Sequence, residues 1–495
     1  MTASRNELRV GLVLLGLSGA AALGHQVLWT RRLADLVGAS VESCARVLEC
    51  FFLGIALGSA VAARVLPKLR RRWRAAGYTE MGVAILGLPV LLLPAWTGWI
   101  WPALGAEKLV EWQGPAIKLV LSVLVVVPPA FLMGMTLPLV TAAIGEPVEG
   151  PANRSTRLYA AYTLGGALGL ALVVGLALHL VGAGGSLLLM IGVNLVAGIV
   201  CFRMAPDEPP ATCPAPPPPV GRFAPPDARL YRLAPLLAVG SGIGIMAFEV
   251  LGLELLNLKL SLAFYTPAAV LAVVVLLLGC AAVVAPWLAH RCGGAERVLP
   301  MSLAAAGLMA AASPLIFLCL TAGQAAVALH GSGITRSLVR LAGVTFLSLG
   351  PAVISAGMVF PLLLCGGDPE SSRWNGRRLG RLLAINGLGG IIGAEVARRL
   401  LLPGGGVHVA LGVVGGFYAV LSVGVLVALG RSRVLQLAVP LAVAAGTGWL
   451  LSTVLRELPL FLRSATFRVV EVRSGGGRFP GGGRATGSWS GDVLG

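Results

Sequence analysis

Runs of about 20 apolar residues recur along almost the whole chain, and each run is long enough to cross the hydrocarbon core of a bilayer as a helix. The chain of 495 residues is 57% hydrophobic and 12% charged, which is about half the charged fraction of a soluble protein. A membrane β-barrel would instead show alternating segments of about 10 residues. The sequence therefore predicts an all-α polytopic protein whose main partner is the lipid bilayer.

The apolar runs form two groups of six, followed by one additional run. The predicted spans are 9–29, 41–66, 78–101, 115–144, 157–181 and 184–203, then 232–255, 265–290, 298–320, 337–364, 381–402 and 406–429, with a thirteenth at 434–455. The predicted domains are a first six-helix repeat (1–203), a proline-rich cytoplasmic linker (204–230), a second six-helix repeat (231–430), an additional transmembrane segment (431–456) and a glycine-rich, disordered tail (457–495).

Three motifs of the first half recur in the second half in the same order. SGAAALGHQVLWTRRL (18–33) matches SGIGIMAFEVLGLELL (241–256), and VPPAFLMGMTLPL (127–139) matches a stretch within 349–363 at the same offset. RLYAAYTLGGALG (157–169) matches RLLAINGLGGIIG (381–393) at a nearly equal offset. Because six spans are an even number, both copies enter the membrane in the same direction. This predicts two parallel repeats in a major-facilitator-like arrangement.

The duplication also bears on the first apolar run, which resembles a signal peptide because basic residues precede an apolar core. Its copy at 241–256 lies in the middle of the chain and cannot be a signal peptide. We therefore expect the first run to be a retained helix.

Basic residues are concentrated in short connections, so the net charge of +17 does not indicate nucleic-acid binding. The run KLRRRWR (68–74), the arginines of 373–381 and those of the linker all fall on one side, which the positive-inside rule makes cytoplasmic, together with the N-terminus. Thirteen spans would put the C-terminus outside, although Arg456, Arg463, Arg468 and Arg473 follow the last span. The sequence does not determine on which side of the membrane the tail lies.

No catalytic, metal or cofactor site is predicted. The eight cysteines are scattered, mostly within apolar runs, and no spacing of cysteines and histidines suggests zinc or a redox pair. The glycines of the tail lack the lysine and the framing strand and helix of a phosphate-binding loop.

Ionisable residues inside spans are costly and point to function by default. Glu49 lies in the second span beside Arg46, so it is a candidate either for a proton or cation site or for a structural ion pair. Glu395 and Arg398 have the i, i+3 spacing and are expected to pair with each other. Glu80 and Glu249 have no basic neighbour at helical spacing, and each is a candidate to bind a cationic ligand, face water or be protonated.

Two further groups complete the candidate site. Gln26, His25, Trp29 and Arg31 form the polar and aromatic end of the first motif and are candidates for substrate binding, although a lone histidine can equally line a helix contact. The proline-glycine motifs are predicted to break helices and to line a central cavity, or alternatively to form packing kinks; their residues are Pro128, Gly134, Pro138, Pro351, Gly357 and Pro361.

The first motif, together with LGIALGSAVAAR (53–64), YTEMGVAI (78–85), PPAFLMGMTLPL (128–139) and LYAAYTLGGALG (158–169), resembles the membrane region of spermidine-synthase-like bacterial proteins. In that family a transporter-like region precedes an aminopropyltransferase domain. The resemblance covers about residues 10–455 and implies a bacterial inner-membrane protein that binds or moves a small cationic solute such as a polyamine.

The sequence departs from this family in two ways. Gln26 stands where members usually have glutamate, and the glycine-rich loop and aspartate of the catalytic domain are absent. Whether the chain is an enzyme therefore stays open. The alternative function is the membrane part of a spermidine synthase, which transfers an aminopropyl group to putrescine, with its catalytic domain truncated or supplied as a separate partner.

Overall fold

The computed structural model describes residues 2–37, 41–103, 113–144, 151–205, 228–260, 265–321, 333–365 and 375–430, with Gly446. Helices account for nearly all of these residues. The helices before the linker are α1 (Thr2–Val37), α2 (Val41–Val65), α3 (Arg72–Gly87), α4 (Leu93–Ala103), α5 (Gln113–Ala143), α6 (Pro151–Leu172), α7 (Leu178–Leu180) and α8 (Gly182–Met204). The proposed linker, the additional segment and the tail lie almost entirely outside the described residues.

The second half repeats this order. Its helices are α9 (Ala228–Asn257), α10 (Tyr265–Arg291), α11 (Ala295–Leu320), α12 (Gly333–Gly357), α13 (Val359–Cys365), α14 (Asn375–Val396) and α15 (Leu402–Ala428). Eleven stretches of the described chain are long and apolar enough to cross a membrane, and the last of them, Gly376–Ala428, has 53 residues. A helix of that length would cross a bilayer twice. It turns at Gly406, where φ is 70°, so two spans meet there.

Local backbone irregularities are duplicated together with the sequence. A π-helical turn, Val173–Ala177, follows α6, and a second one, Ala397–Leu401, follows α14. A glycine with positive φ then starts the next span in each half: Gly182 with φ of 68° and Gly406 with φ of 70°. Both features recur at the offset of the third sequence motif. The matching therefore extends from sequence to backbone geometry.

Glycines hold equivalent helices together inside each half. A methyl group at Gly19 of α1 would overlap the carbonyl oxygen of Tyr162 on α6, and one at Gly242 of α9 would overlap that of Asn386 on α14. Small residues let transmembrane helices approach this closely. The contacts α2–α5 and α3–α8 likewise have their equivalents in α10–α12 and α11–α15.

The contacts between the two halves are also reciprocal. Helix α2 packs along α14, and α10 packs along α6. Because α10 is the second-half equivalent of α2 and α6 is the first-half equivalent of α14, exchanging the halves converts one contact into the other. A two-fold axis along the membrane normal has this property, and it relates parallel repeats.

We call the end of the bundle that carries the 66–71 connection the basic end, and the opposite end the far end. At the basic end the halves touch at two further reciprocal contacts, α5–α14 and α6–α13. The rings of Tyr159 and Phe360 have centroids 5.1 Å apart, and Thr156 Oγ1 lies 3.7 Å from Cys365 Sγ. One buried apolar cluster runs through both halves there and includes Leu158 and Leu379.

The first proline-glycine motif does not break its helix, contrary to the prediction from the sequence. Helix α5 continues through Pro128, Pro129 and Pro138. Pro138 lacks an N–H group and so leaves the carbonyl of Gly134 without its helical donor. The hydroxyl of Ser59 on α2 donates to that carbonyl at 2.9 Å and replaces the lost bond.

The second proline-glycine motif departs from a regular helix only at Met358, between α12 and α13. Helical bonding continues past this residue, because Met358 N donates to Ile354 O at 3.1 Å and Leu362 N donates to Met358 O at 3.0 Å. At the offset that relates Gly134 to Gly357, the counterpart of Ser59 is Ala282, which has no hydroxyl to donate to the carbonyl freed by Pro361. In both halves the motif glycine is a site of close packing: a methyl group at Gly134 would overlap Ile55, and one at Gly357 would lie 2.7 Å from Leu278.

Candidate functional site

Four polar side chains from three helices form a continuous hydrogen-bonded chain inside the first half. The Ser18 hydroxyl donates to Glu80 Oε1 at 2.7 Å, and Asn194 Nδ2 donates to Glu80 Oε2 at 2.6 Å. His25 Nε2 lies 3.0 Å from Asn194 Oδ1, so that nitrogen carries the proton and donates. We call Ser18, Glu80, Asn194 and His25 the polar chain.

The polar chain is enclosed. The four side chains are between 0% and 3% exposed, and His25 is fully buried. Thr136 of α5 lies beside Glu80, and its hydroxyl is 3.2 Å from that of Thr79 on α3. Around these groups lies an apolar cluster of the first half that contains Trp29, Met133 and Ile191.

Helix packing fixes the geometry of the polar chain. Ser18 and His25 both lie on α1, two turns apart, so they reach successive levels of the bundle. Helix α3 brings Glu80 between α1 and α5, and α8 brings Asn194 between α1 and α3. A methyl group at Gly77 of α3 would lie 3.0 Å from the ring of Phe202 on α8, so the helices meet closely just beside the polar chain.

Glu80 is stabilised by neutral donors alone. Within the described residues no lysine or arginine forms an ion pair with it, and its hydrogen-bond donors are one hydroxyl and one amide. The titratable groups whose charge would act on it are Tyr162 of α6 and Cys201 of α8. A carboxylate that accepts bonds at both oxygens but has no cation is unusual in an apolar interior.

Beside the polar chain on α1, three buried polar atoms have no hydrogen-bond partner among the described residues: His25 Nδ1, Gln26 Oε1 and Trp29 Nε1. The rings of His25 and Trp29 have centroids 5.1 Å apart. Buried polar groups are nearly always paired, so a cluster of unpaired atoms within little more than one helical turn calls for an explanation. All three atoms could receive or donate a bond to a bound species that enters beside α1.

The structure brings together only part of the predicted site. His25, Trp29 and Glu80 are joined directly or through Asn194, whereas Arg31 is an exposed residue further along α1. The sequence interpretation did not assign Ser18, Asn194 or Thr136 a role. Their signal was present, since each is a hydrogen-bonding side chain within an apolar run, but the partner of each lies on a different helix and is distant in the chain.

Glu49 lies elsewhere, where α2 meets the far-end part of α14. Its Oε1 is 3.7 Å from Arg398 Nη2, and Arg398 donates to Glu395 at 2.7 Å. The predicted pairing of Glu395 with Arg398 is confirmed, and Glu395 also pairs with Arg399. This group bridges the halves.

Glu249 lies in the middle of α9, in the second half. It is partly buried, and no hydrogen bond or ion pair joins it to another described residue. It is the counterpart of Gln26, whose side chain is 4% exposed. The paired positions therefore carry a carboxylate in one half and an amide in the other.

The prolines of the two motifs differ in exposure. Pro138 and Pro361 are buried, whereas Pro128 and Pro351 are exposed on the bundle surface.

With regard to metals, the described part of the chain has no group of three histidine, cysteine, aspartate or glutamate side chains placed to hold an ion.

The second half has lost the polar chain. The residues at the positions of Ser18, His25, Glu80 and Asn194 are Ser241, Phe248, Leu303 and Tyr418. Phe248 and Leu303 are buried in the apolar core, and the ring of Tyr418 fills the space beside Gly244. Equivalent backbones thus surround a polar chain in one half and an apolar core in the other.

No protein-family model and no curated protein sequence matches this chain. Solved structures do match. The chain resembles the human organic anion transporter MFSD10 (TETRAN), with 16% identity, a TM-score of 0.50 and coverage of 85% of this chain and 99% of that one. It also resembles a peptide transporter POT in complex with alafosfalin, with 12% identity, a TM-score of 0.53 and coverage of 85% and 93%. At these identities the likeness shows the fold alone: the chain is a polytopic, major-facilitator-like membrane protein.

Proposed function

We propose that this protein carries a small cationic solute, such as a polyamine, across a bacterial inner membrane by alternating movement of its two six-helix halves. The observation that carries the proposal is the reciprocal pair of contacts α2–α14 and α6–α10. Two compact bundles related by a two-fold axis can rock about such contacts and expose a site between them to either side in turn. The arginines of the basic end support a cytoplasmic location for that end.

The charge of the solute is inferred from the acids inside the bundle. Glu249 lacks a partner among the described residues and is partly buried, so a cationic ligand would neutralise it. Glu80 is already enclosed by hydrogen bonds, and Glu49 lies beside Arg398. Glu249 is therefore the residue that we assign to the solute. The related folds are named for organic-anion and peptide transport, so the fold by itself does not select the solute.

The test is uptake of radiolabelled spermidine into proteoliposomes that contain the purified full-length chain. We expect saturable uptake above protein-free liposomes, and Glu249→Gln is expected to reduce it about tenfold, the equivalent of about 1.4 kcal/mol of lost attraction. The matched control is Glu296→Gln, which neutralises a carboxylate in the first turn of α11. Its uptake is expected to equal that of the wild type.

The outcomes separate the two parts of the proposal. No uptake by the wild type would contradict carriage of this solute. Uptake that is unchanged in Glu249→Gln would remove Glu249 from the site.

The second candidate is the membrane part of a spermidine synthase, and it is supported by the sequence motifs of the first half. Several of their glycines are packing sites: a methyl group at Gly58 would overlap the backbone of Phe131, and one at Gly165 would overlap Gly16. The same proteoliposomes, supplied with a soluble aminopropyltransferase, putrescine and the aminopropyl donor, test this candidate. Faster product formation than with protein-free liposomes would favour it, and an unchanged rate would count against it.

A further inference from the structure

The polar chain carries an uncompensated charge unless it holds one extra proton. With neutral His25 and ionised Glu80 its net charge is −1, and Glu80 is only 1% exposed. The donors to Glu80 are Ser18 and Asn194, neither of which is a cation. The titratable groups that face it from the neighbouring helices are Tyr162 and Cys201, which are neutral in their protonated forms. An isolated buried charge is costly in an apolar interior, so uptake of one proton stabilises the polar chain.

The structure provides two places for that proton. His25 Nδ1 has a free lone pair, because its other ring nitrogen donates to Asn194 and Nδ1 itself has no partner among the described residues. A proton there gives an imidazolium that is linked to the Glu80 carboxylate through one amide, whose oxygen accepts from histidine and whose nitrogen donates to glutamate. The alternative place is Glu80 itself, which can then donate to the Ser18 hydroxyl. With the proton in either place, the four side chains of the polar chain have no net charge.

From this geometry we propose that the polar chain is a closed site for a single proton and that this proton is the ion coupled to solute movement. The coupling rests on the proposed transport function, whereas proton binding by His25 and Glu80 does not. One O–H bond of a hydronium ion breaks and leaves water, and one N–H bond at His25 Nδ1 or one O–H bond at a Glu80 oxygen forms; no other covalent bond changes.

The second half indicates one site per protein molecule. Phe248 and Leu303 replace the two titratable groups there, and Tyr418 replaces the bridging amide. The same comparison supplies a substitution that this fold tolerates, because phenylalanine already occupies the position equivalent to His25. Replacing His25 by phenylalanine is therefore a conservative way to remove the site.

A route from this site to the other half exists through α1. Ser18 and His25 lie on α1, which is packed on α6 through Gly19 and Gly165. Helix α6 in turn packs along α10 of the second half. This contact links the helix that carries both ends of the polar chain to the second half, and a shift of α1 relative to α3 and α8 is the step at which the enclosed proton can reach water.

The test counts protons bound by the purified full-length protein in lipid nanodiscs, without any solute, between about pH 5 and pH 8. We expect the wild type to take up about one proton more than the double variant His25→Phe/Glu80→Gln. Trp29 is the local reporter, because its ring contacts His25 and a protonated imidazole quenches indole fluorescence. Its contribution is obtained by subtracting the spectrum of Trp29→Phe. A fall on acidification that is absent in His25→Phe places the proton on His25, and proton uptake with a constant Trp29 signal places it on Glu80.

The control is again Glu296→Gln, which is expected to keep the proton uptake of the polar chain and the Trp29 signal of the wild type. Equal proton uptake by the wild type and the double variant, with folded proteins by circular dichroism, would overturn the site. If the double variant binds one proton fewer than the wild type but the wild type takes up no polyamine, the proton site stands and the proposed transport function fails. If uptake occurs without dependence on an imposed pH gradient, the function stands and the coupling fails.

Discussion

At the scale of single residues, one hydroxyl restores a hydrogen bond that a proline removes. Pro138 frees the carbonyl of Gly134, and Ser59 restores its bond from the neighbouring helix. In the second half Ala282 cannot do so, and the span departs from a regular helix at Met358, beside the carbonyl that Pro361 frees. A side chain of a different helix thus determines whether the freed carbonyl has a donor.

We expect Ser59→Ala to lower the free energy of unfolding by about 1 kcal/mol, because a buried carbonyl loses its donor. Ala282→Ser is expected to stabilise the second half in turn. Both changes are measured by unfolding in mixed detergent micelles. The control is Ser355→Ala, because the Ser355 hydroxyl is bonded to the carbonyl of Pro351 in its own helix. A loss in Ser59→Ala no larger than in Ser355→Ala would contradict this account.

The polar chain illustrates the same limit of sequence reasoning. Glu80 has no ionic neighbour along its own helix, which made it a candidate for cation binding. The structure instead gives it donors on α1 and α8, both of them distant in the chain. Periodicity describes one helix at a time, so it cannot identify these partners.

At the scale of helices, α2 and α14 meet through an ionic group near the far end. Arg398 lies between Glu49 of α2 and Glu395 of α14, at 3.7 Å and 2.7 Å. Side chains of the group are about one fifth to one quarter exposed, so solvent screens the attraction only in part. Arg398 therefore holds two carboxylates from different halves beside each other.

Removal of Arg398 is expected to have a larger effect than removal of either carboxylate. Arg398→Gln leaves two acids facing each other, and their repulsion separates the helices, whereas Glu49→Gln removes only one attraction of about 1 kcal/mol or less. Spin labels on the far-end parts of α2 and α14 should report a longer distance in Arg398→Gln. Arg399→Gln is the control, because the Arg399 side chain is 69% exposed and, among the described residues, pairs only within the second half, with Glu395 one helical turn away. If the distance between the labels on α2 and α14 is the same in Arg398→Gln, Glu49→Gln and Arg399→Gln, Arg398 does not hold the two helices together.

At the scale of the whole molecule, the halves are closed against each other at the basic end. The contacts α5–α14 and α6–α13 join them there in addition to the two long contacts. Alternating access requires these two contacts to separate while the long contacts act as the pivot. The structure is thus one of the two end states that the proposed carrier needs.

A disulfide at the basic end should trap this state. Thr156 Oγ1 lies 3.7 Å from Cys365 Sγ, so Thr156→Cys places two thiols within reach of a bond. Oxidation is expected to reduce spermidine uptake to the level of protein-free liposomes, and a reductant is expected to restore it. The double variant Thr156→Cys/Cys365→Ala should be insensitive to oxidation. Full uptake by the cross-linked protein would show that this contact need not open.

The sequence by itself determined the fold class, because apolar runs of membrane length and a duplication at one nearly constant offset leave few alternatives. It also identified Glu395 and Arg398 as a pair, since the i, i+3 spacing places them on the same helix face. These are local or repetitive properties, which a linear pattern records directly.

Only the tertiary structure decided which polar residues act together. It joined Ser18, His25, Glu80 and Asn194, separated Glu49 and Arg31 from them, and showed that the equivalent place in the second half is apolar. The physical reason is that a buried polar group must be satisfied by whatever side chain the packing brings near. That neighbour is set by helix contacts between distant segments, and those contacts do not appear in the order of residues along the chain.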